Sequence, residues 1–244
     1  MDIKDSSRLE RGSGLKFAGV AVDVDGTLTD ERGRIDLEVV EALRELEGTG
    51  VRVVLASGNS YPVLMGLANY LVGCLVIAEN GGVVGRYSEY VLLGDPSVGR
   101  EARDAILREL GGMVVESWQN RFRLVDFAFY VRRGLDPLEV KAEVEDLLEG
   151  VPAVVEYSGW AIHVRDERAN KGRGLEAAAE MLSLRPGDFV AVGDSETDLS
   201  MLERAGLGIA LANSPAVVKE RASLITKRAG PEGVLEALEM AFAL

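Results

Sequence analysis

The feature that most constrains this chain is a recurrent unit: a short apolar run of strand length that ends in polar or acidic residues and passes into a segment of helical period. Phe17–Val24 is the first such run, closed by acidic residues and the turn-forming Gly26. Val39, Val40, Leu43 and Leu46 then share one helical face up to about Gly50, and Val51–Ala56 is a second buried strand. Two strands joined through a helix run parallel, with the helix covering one face of the sheet. A further helix, about Tyr61–Leu71, leads to a strand at Cys74–Ala78 and a turn at Asn80, Gly81 and Gly82.

There the rhythm breaks. Val83–Leu93 reads as a hairpin, followed by a helix near Val98–Leu110 and strands near Met113–Glu116 and Arg123–Val131. Alternation in the last of these sets Leu124, Asp126, Ala128 and Tyr130 against Val125, Phe127, Phe129 and Val131, so one face is strongly apolar. A helix at Pro137–Leu148 and strands at Ala153–Tyr157 and Trp160–Val164 complete an antiparallel unit backed by helices. From Lys171 the first rhythm returns: helix Leu175–Leu182, strand Phe189–Val192, helix Leu199–Ala205, strand Leu207–Ala210 and a closing helix from about Glu232. The fold class is therefore α/β, a doubly wound parallel sheet with a Rossmann-like core at 17–82 and 166–244. An α+β domain is inserted at 83–165, and the polar residues 1–16 read as a flexible tail.

Charge narrows the partners. The net charge of −13 opposes nucleic-acid phosphates and anionic membrane surfaces, so neither is expected as a partner. No apolar run reaches membrane-spanning length and the N-terminus lacks signal-peptide order, so a cytoplasmic protein is expected. A single cysteine, Cys74, permits no intrachain disulfide or multi-thiolate metal site and reads as core filling. A homodimer is compatible with the sequence.

In doubly wound sheets ligands bind at the carboxyl ends of the strands, which directs attention to three loops. The first, Asp23-Val24-Asp25-Gly26-Thr27-Leu28-Thr29, carries two acids that can face one site if the chain turns at Gly26; the acids serve catalysis or simply the turn. Ser57-Gly58-Asn59 follows the second strand and offers a hydroxyl and free N–H groups to a phosphate, or an ordinary helix cap. The third, Gly193-Asp194-Ser195-Glu196-Thr197-Asp198, adds acids whose hard oxygens suit magnesium. Lys171 stands at a helix start, where a cation opposes the helix dipole; a phosphate neighbour or plain solvation would account for it.

Taken in order, DVDGTLTD, SGN, a lone lysine and GDSETD resemble the four motifs of the haloacid dehalogenase superfamily. ASGN, ENGG, NKG and a compact inserted domain look most like its archaeal-type phosphoglycolate phosphatases, the insertion corresponding to that branch's cap domain. The resemblance implies a magnesium-dependent phosphatase acting on a small phosphorylated metabolite, most simply 2-phosphoglycolate, through a phosphorylated aspartate. It makes Asp23 the nucleophile and a magnesium ligand. Asp25 becomes the acid and base, its carbonyl also on the metal, while Asp194 is a ligand and Asp198 completes or orients the shell. Ser57, the Gly58 N–H and Lys171 would hold the phosphoryl oxygens. Thr197 stands where the family commonly has asparagine.

A sugar phosphatase or a phosphomutase of the same superfamily would share these motifs. A receiver-type signalling domain would not need the insertion, and a silent phospholigand-binding protein would not need every charged motif residue. His163, the only histidine, alternates with Ile162 and Val164 and is read as a surface or domain-boundary residue rather than a base. Trp118, Gln119, Asn120 and Arg121 form a loop that either recognises substrate or only connects strands. Asn80 is expected near the site by resemblance, and otherwise as a turn residue.

Overall fold

The computed structural model describes residues 16–73 and 75–242. The tail expected at 1–16, apart from Lys16, and the core role expected of Cys74 lie outside the described residues. The chain opens with β1 (Gly19–Asp23), α1 (Leu37–Gly48), β2 (Arg52–Ala56), α2 (Tyr61–Leu71), β3 (Leu75–Ala78) and the hairpin β4 (Val83–Arg86) and β5 (Glu89–Leu92). Next come α3 (Pro96–Glu109), β6 (Val114–Glu116), β7 (Phe127–Val131), α4 (Pro137–Leu147), β8 (Ala153–Tyr157) and β9 (Ile162–Asp166). The remainder is α5 (Lys171–Met181), β10 (Phe189–Gly193), α6 (Leu199–Arg204), β11 (Leu207–Ala210), α7 (Ala216–Arg221), β12 (Leu224–Ile225) and α8 (Gly230–Phe242).

Helix starts follow from local chemistry. Asp36 accepts hydrogen bonds from the Glu38 and Val39 N–H groups at 2.8 and 3.2 Å, and α1 buries Val39, Val40, Leu43 and Leu46 as its periodicity requires. Asp95 and Asp136 cap α3 and α4 in the same way, each followed by a proline whose missing N–H costs nothing in the first turn. The short α7 and β12 have too few residues for their periodicity to show in the sequence.

Eight strands form one sheet in the order β12-β11-β10-β1-β2-β3-β4-β5. It is parallel from β12 to β3, and β1 sits near its middle with every residue buried. Alternation along β1 sends Val20 and Val22 to a core shared with α1, α2 and α8, while Ala21 faces a second core built on Leu175, Ala178 and Met201. Asp23, two residues beyond Ala21, therefore emerges on the side covered by α5.

The hairpin Val83–Leu92, counted with the inserted unit in the sequence reading, pairs antiparallel with β3 and extends the large sheet. The second sheet begins after it, in the antiparallel order β6-β7-β9-β8. Phe127, Phe129, Ile162 and Val164 pack there against Ala102 and Ile106 of α3 and Val140 and Val144 of α4.

Two strand expectations shift for identifiable reasons. The strand expected from Arg123 starts only at Phe127, because the N–H groups of Leu124, Val125 and Asp126 donate to the buried carboxylate of Glu79 instead of a ladder. Val125 accordingly joins the core of the large sheet. The strand expected at Trp160–Val164 runs from Ile162 to Asp166, since Ser158 to Ala161 closes a turn through Gly159 at φ +87°.

The connection after β3 is unusual in its backbone. Glu79, Asn80 and Gly81 all have positive φ, at 53, 52 and 93°. Such a conformation strains a residue with a β-carbon by about 1 kcal/mol or more, and the hydrogen bonds of Glu79 hold it in place. Gly81 is also sterically required: a β-carbon would lie 2.1 Å from the Asn170 carbonyl oxygen, just before Lys171. Among the described residues, no helix is long and apolar enough to cross a membrane.

Replacing Glu79 by alanine leaves the N–H groups of Leu124, Val125 and Asp126, and the longer contact from Tyr61, without their acceptor. The expected cost is on the order of 3 kcal/mol, a fall in Tm of roughly 6–12 °C for a chain of this size. Thermal melts check this, and a fall under about 2 °C would show the clamp to be dispensable.

Candidate active site

Where β1 ends, the Val24 carbonyl accepts the N–H groups of Thr27, Leu28 and Thr29, and Thr29 Oγ1 accepts the Gly26 N–H at 2.9 Å. Gly26 has φ +85°, and a β-carbon there would sit 2.7 Å from Asp194 Oδ2. The sequence glycine thus serves both the turn and the close approach of the third loop.

Lys171 enters this junction from the first turn of α5, whose N-cap Asn170 accepts the Arg173 N–H. Its Nζ donates to Asp23 Oδ1 and to Asp198 Oδ1, each at 2.6 Å, and the side chain is 2% exposed. Asp198 Oδ2 accepts from the main chain of Asp194 and Ser195 and from Ser195 Oγ. Asp194 Oδ1 accepts from Thr27 Oγ1 at 3.0 Å, and Oδ2 from Asn213 Nδ2 at 2.8 Å.

Asp23, Asp194 and Asp198 each direct one oxygen into a common space, all within 4.8 Å of one another. Burial and the neighbouring Asp198 and Asp194 push the Asp23 carboxyl well above its usual range, against the pull of Lys171. Burial and Asp198 likewise push Asp194 up to about 6. Lys171 is held above its ordinary value: burial acts to lower it, but Asp198 and Asp23 outweigh that. Three carboxylates against one ammonium leave an excess of negative charge. Oxygen-only donors and that excess fit a hard divalent cation.

On the other side of the loop, Asp25 Oδ2 accepts from Asn59 Nδ2 at 2.8 Å and from Ser57 Oγ at 3.2 Å. Asp23, Asp25, Gly58 and Lys171 line a cavity of about 250 Å³, together with Asn59, Asn80, Ser195 and Thr197. Its opposite wall comes from the inserted unit and includes Gln119, Arg123, Tyr130, Trp160 and His163. Ser57 and Asp198 stand one hydrogen bond behind the lining, on Asp25 and Lys171.

Residues 20–107 and 120–238 match the haloacid dehalogenase-like hydrolase family. The chain belongs to that family. A phosphoglycolate phosphatase of Methanoculleus marisnigri is 38% identical over 226 residues, 90% of this chain and 94% of the relative. One from Metallosphaera sedula is 37% identical over 227 residues, 89% of this chain and 96% of its own. In fold, a solved Thermoplasma acidophilum structure superposes with a TM-score of 0.79 at 24% identity, covering 92% of this chain and 97% of the other.

In this hydrolase the structure also brings forward residues that the sequence reading passed over or left open. His163 is 5% exposed and, of the two places expected for it, lies at the boundary between the inserted unit and the core rather than on a surface. Ile162 and Val164 face the inserted unit's own core, and the face left to His163 is covered by Gly58 and Asn80 rather than by water. Its Nδ1 lies 2.7 Å from Asp126 Oδ2 and 3.1 Å from Asn80 Nδ2. Burial alone would raise Asp126, but His163, Arg123 and Arg165 hold it low. Thr197 Oγ1 lies 2.8 Å from Ser195 Oγ. Asn213 follows β11, the next strand of the sheet, so the strand-end rule that found the other loops would have found it too. The sequence marked Gln119 as part of the loop at 118–121 and Glu79 within ENGG, but not their partners, which are distant in the chain.

Asp23 and Asp194 have folded values raised above the unfolded carboxyl. Their contribution to stability is complete below about pH 4 and is lost as the pH rises, for Asp194 through about 6. A cation bound to the ionised oxygens competes with those protons. Melts with saturating magnesium and with chelator should therefore show a larger metal-induced rise in Tm at pH 7.5 than at pH 5. A rise equal at both values would exclude these carboxylates as the metal's ligands.

Proposed function

We propose that this phosphatase hydrolyses 2-phosphoglycolate to glycolate and phosphate, in the cytoplasm, by way of an aspartyl-phosphate on Asp23. The observation that carries the reading is the buried cluster of Asp23, Lys171, Asp194 and Asp198, reached from a cavity sized for a small molecule. The names of the relatives at 38 and 37% identity support the choice of substrate.

Asp23, Asp194 and Asp198, with the Asp25 carbonyl, would hold one magnesium ion. Bound there, it offsets the repulsion between a carboxylate and a phosphate dianion. Lys171 and the Gly58 N–H hold the phosphoryl oxygens, and Ser57 Oγ would turn its one proton from Asp25 to them, so that Asp23 meets phosphorus in line with the leaving oxygen. As the P–O bond to glycolate breaks, Asp25 gives that oxygen a proton. In the second step Asp25 takes a proton from water, which displaces Asp23 from phosphorus and restores the carboxylate. Splitting the reaction at Asp23 replaces one difficult displacement with two easier ones.

Steady-state assays against small phosphate esters, with and without magnesium, test the substrate and the metal together. We expect magnesium-dependent turnover with 2-phosphoglycolate preferred; a far higher kcat/KM for hexose phosphates would make this a sugar phosphatase, and return of phosphate to a second position of the sugar a phosphomutase. Asp23→Asn should form no phosphoenzyme. Asp25→Asn should release close to one equivalent of nitrophenol from p-nitrophenyl phosphate in a burst, because that phenolate leaves unaided, and then turn over slowly. Rapid-quench kinetics decide this, and a burst from Asp23→Asn would reverse the assignment.

A further inference from the structure

Gln119, the only glutamine in the chain, is contributed by the inserted unit yet makes its hydrogen bonds to the loop after β2. It lies in a helical turn, Trp118–Phe122, started by Ser117, whose Oγ accepts the Gln119 N–H. Its side chain is buried at 9% exposure and lines the cavity.

The direction of every bond in this chain of amides follows from one main-chain group. Ser60 N–H can only donate, and it donates to Gln119 Oε1 at 2.7 Å. That fixes the amide so that Nε2 donates to Asn59 Oδ1, also at 2.7 Å. With its oxygen so engaged, Asn59 turns its nitrogen to Asp25 Oδ2, 2.8 Å away, and to Ser57 Oγ at 2.9 Å. Ser57 Oγ donates to the same Oδ2 at 3.2 Å. Asp25 thus has one carboxylate oxygen held by two donors, and Oδ1 left free of them. Take the Gln119 donor away and Asn59 is free to flip, which sets amide oxygen against carboxylate oxygen and unseats Asp25.

We infer that Gln119 is a positioning residue: seated on the second loop, it orients Asn59 and through it aims the free oxygen of Asp25 at the leaving group. The inference rests on the role given to Asp25 under the proposed function. It also answers what the loop at 118–121 is for, since this residue completes the acid and base only when the inserted unit rests against the core. A phosphoester in the cavity then meets an aligned proton donor, and a site from which the inserted unit has moved away does not.

The test uses Gln119→Leu, Gln119→Glu, Asn59→Leu and the Gln119→Leu/Asn59→Leu double variant, each first checked by thermal melting. Gln119→Glu at pH 7.5 keeps an acceptor for Ser60 but has no donor for Asn59, so it remains informative if the leucine variant folds poorly. With 2-phosphoglycolate, whose alkoxide needs a proton, kcat should fall about 10- to 100-fold in each single variant. With p-nitrophenyl phosphate the burst rate constant should stay within about 3-fold of wild type, and the double variant should be no slower than Asn59→Leu by more than about 3-fold. Equal loss with both substrates, unchanged kcat with 2-phosphoglycolate, or multiplicative loss in the double variant overturns the inference while leaving the proposed function standing. A wild-type protein that turns over neither ester overturns both.

Discussion

Lys171 bridges two carboxylates that would otherwise repel one another, and the placing of two strand ends against the start of a helix follows from that contact. Its ammonium reaches Asp23 at the end of β1 and Asp198 beyond β10 at 2.6 Å each. Placing a cation at the first turn of a helix goes against the helix dipole, and burying it adds a desolvation cost of several kcal/mol in the absence of partners. Both costs are met only if α5 begins where both acids can be reached. Gly81, which lets the turn after β3 touch the Asn170 carbonyl, and Gly172, where a β-carbon would lie 2.2 Å from the Ser200 carbonyl, bring α5 that close. Neither packing requirement belongs to the chemistry, yet without them the lysine does not arrive.

Beyond the apolar contact of Leu124 and Val125 with the large sheet's core, the inserted unit is attached to this centre by polar contacts. Glu79 receives the backbone of 124–126, Asn80 meets Asp126 and His163, and Gln119 meets Asn59 and Ser60. Hydrogen bonds of this kind contribute modestly to stability each, about 1 kcal/mol, but their directions are demanding. Such an interface tolerates opening more readily than a packed core, while allowing essentially one arrangement when closed. That suits an enzyme whose cavity is walled on one side by the catalytic loops and on the other by the insertion.

How much of this could be read in the sequence depended on the distance over which the information acts. The strand ends carrying Asp23, Ser57 and Asp194 were legible because apolar runs and the turn at Gly26 are local signals, and Lys171 because a cation at a helix start calls for a partner. The ownership of the hairpin at 83–92 was not legible: a hairpin looks the same whether it continues one sheet or starts another, and only pairing of Ala78 with Val83 decides it. Of the two places open to His163, surface or domain boundary, the structure takes the boundary, and the sequence left that choice open for a related reason. Alternation told correctly that it faces away from Ile162 and Val164, but what covers that face is a loop more than eighty positions earlier. Gln119 and Glu79 act entirely across such distances, and periodicity carries no trace of them.

The same long-range arrangement bears on an apparent conflict between the protein's charge and its proposed substrate. A chain of net charge −13 repels an anion at long range, and at physiological salt that field is cut off within about 8 Å. Inside the cavity the charges of both signs are few: Asp23, Asp25 and Lys171 on the catalytic side and Arg123 on the side of the inserted unit, the two cations with side chains 2 and 3% exposed. Buried cations are screened far less than the surface acids that dominate the total. Asp126 takes part of the Arg123 charge at 2.9 Å, and its own other oxygen has no hydrogen-bond partner. Lys171 and Arg123 are each already paired with buried acids, so the reversal of sign that an anionic substrate needs would come from the divalent cation that Asp23, Asp194 and Asp198 are suited to hold.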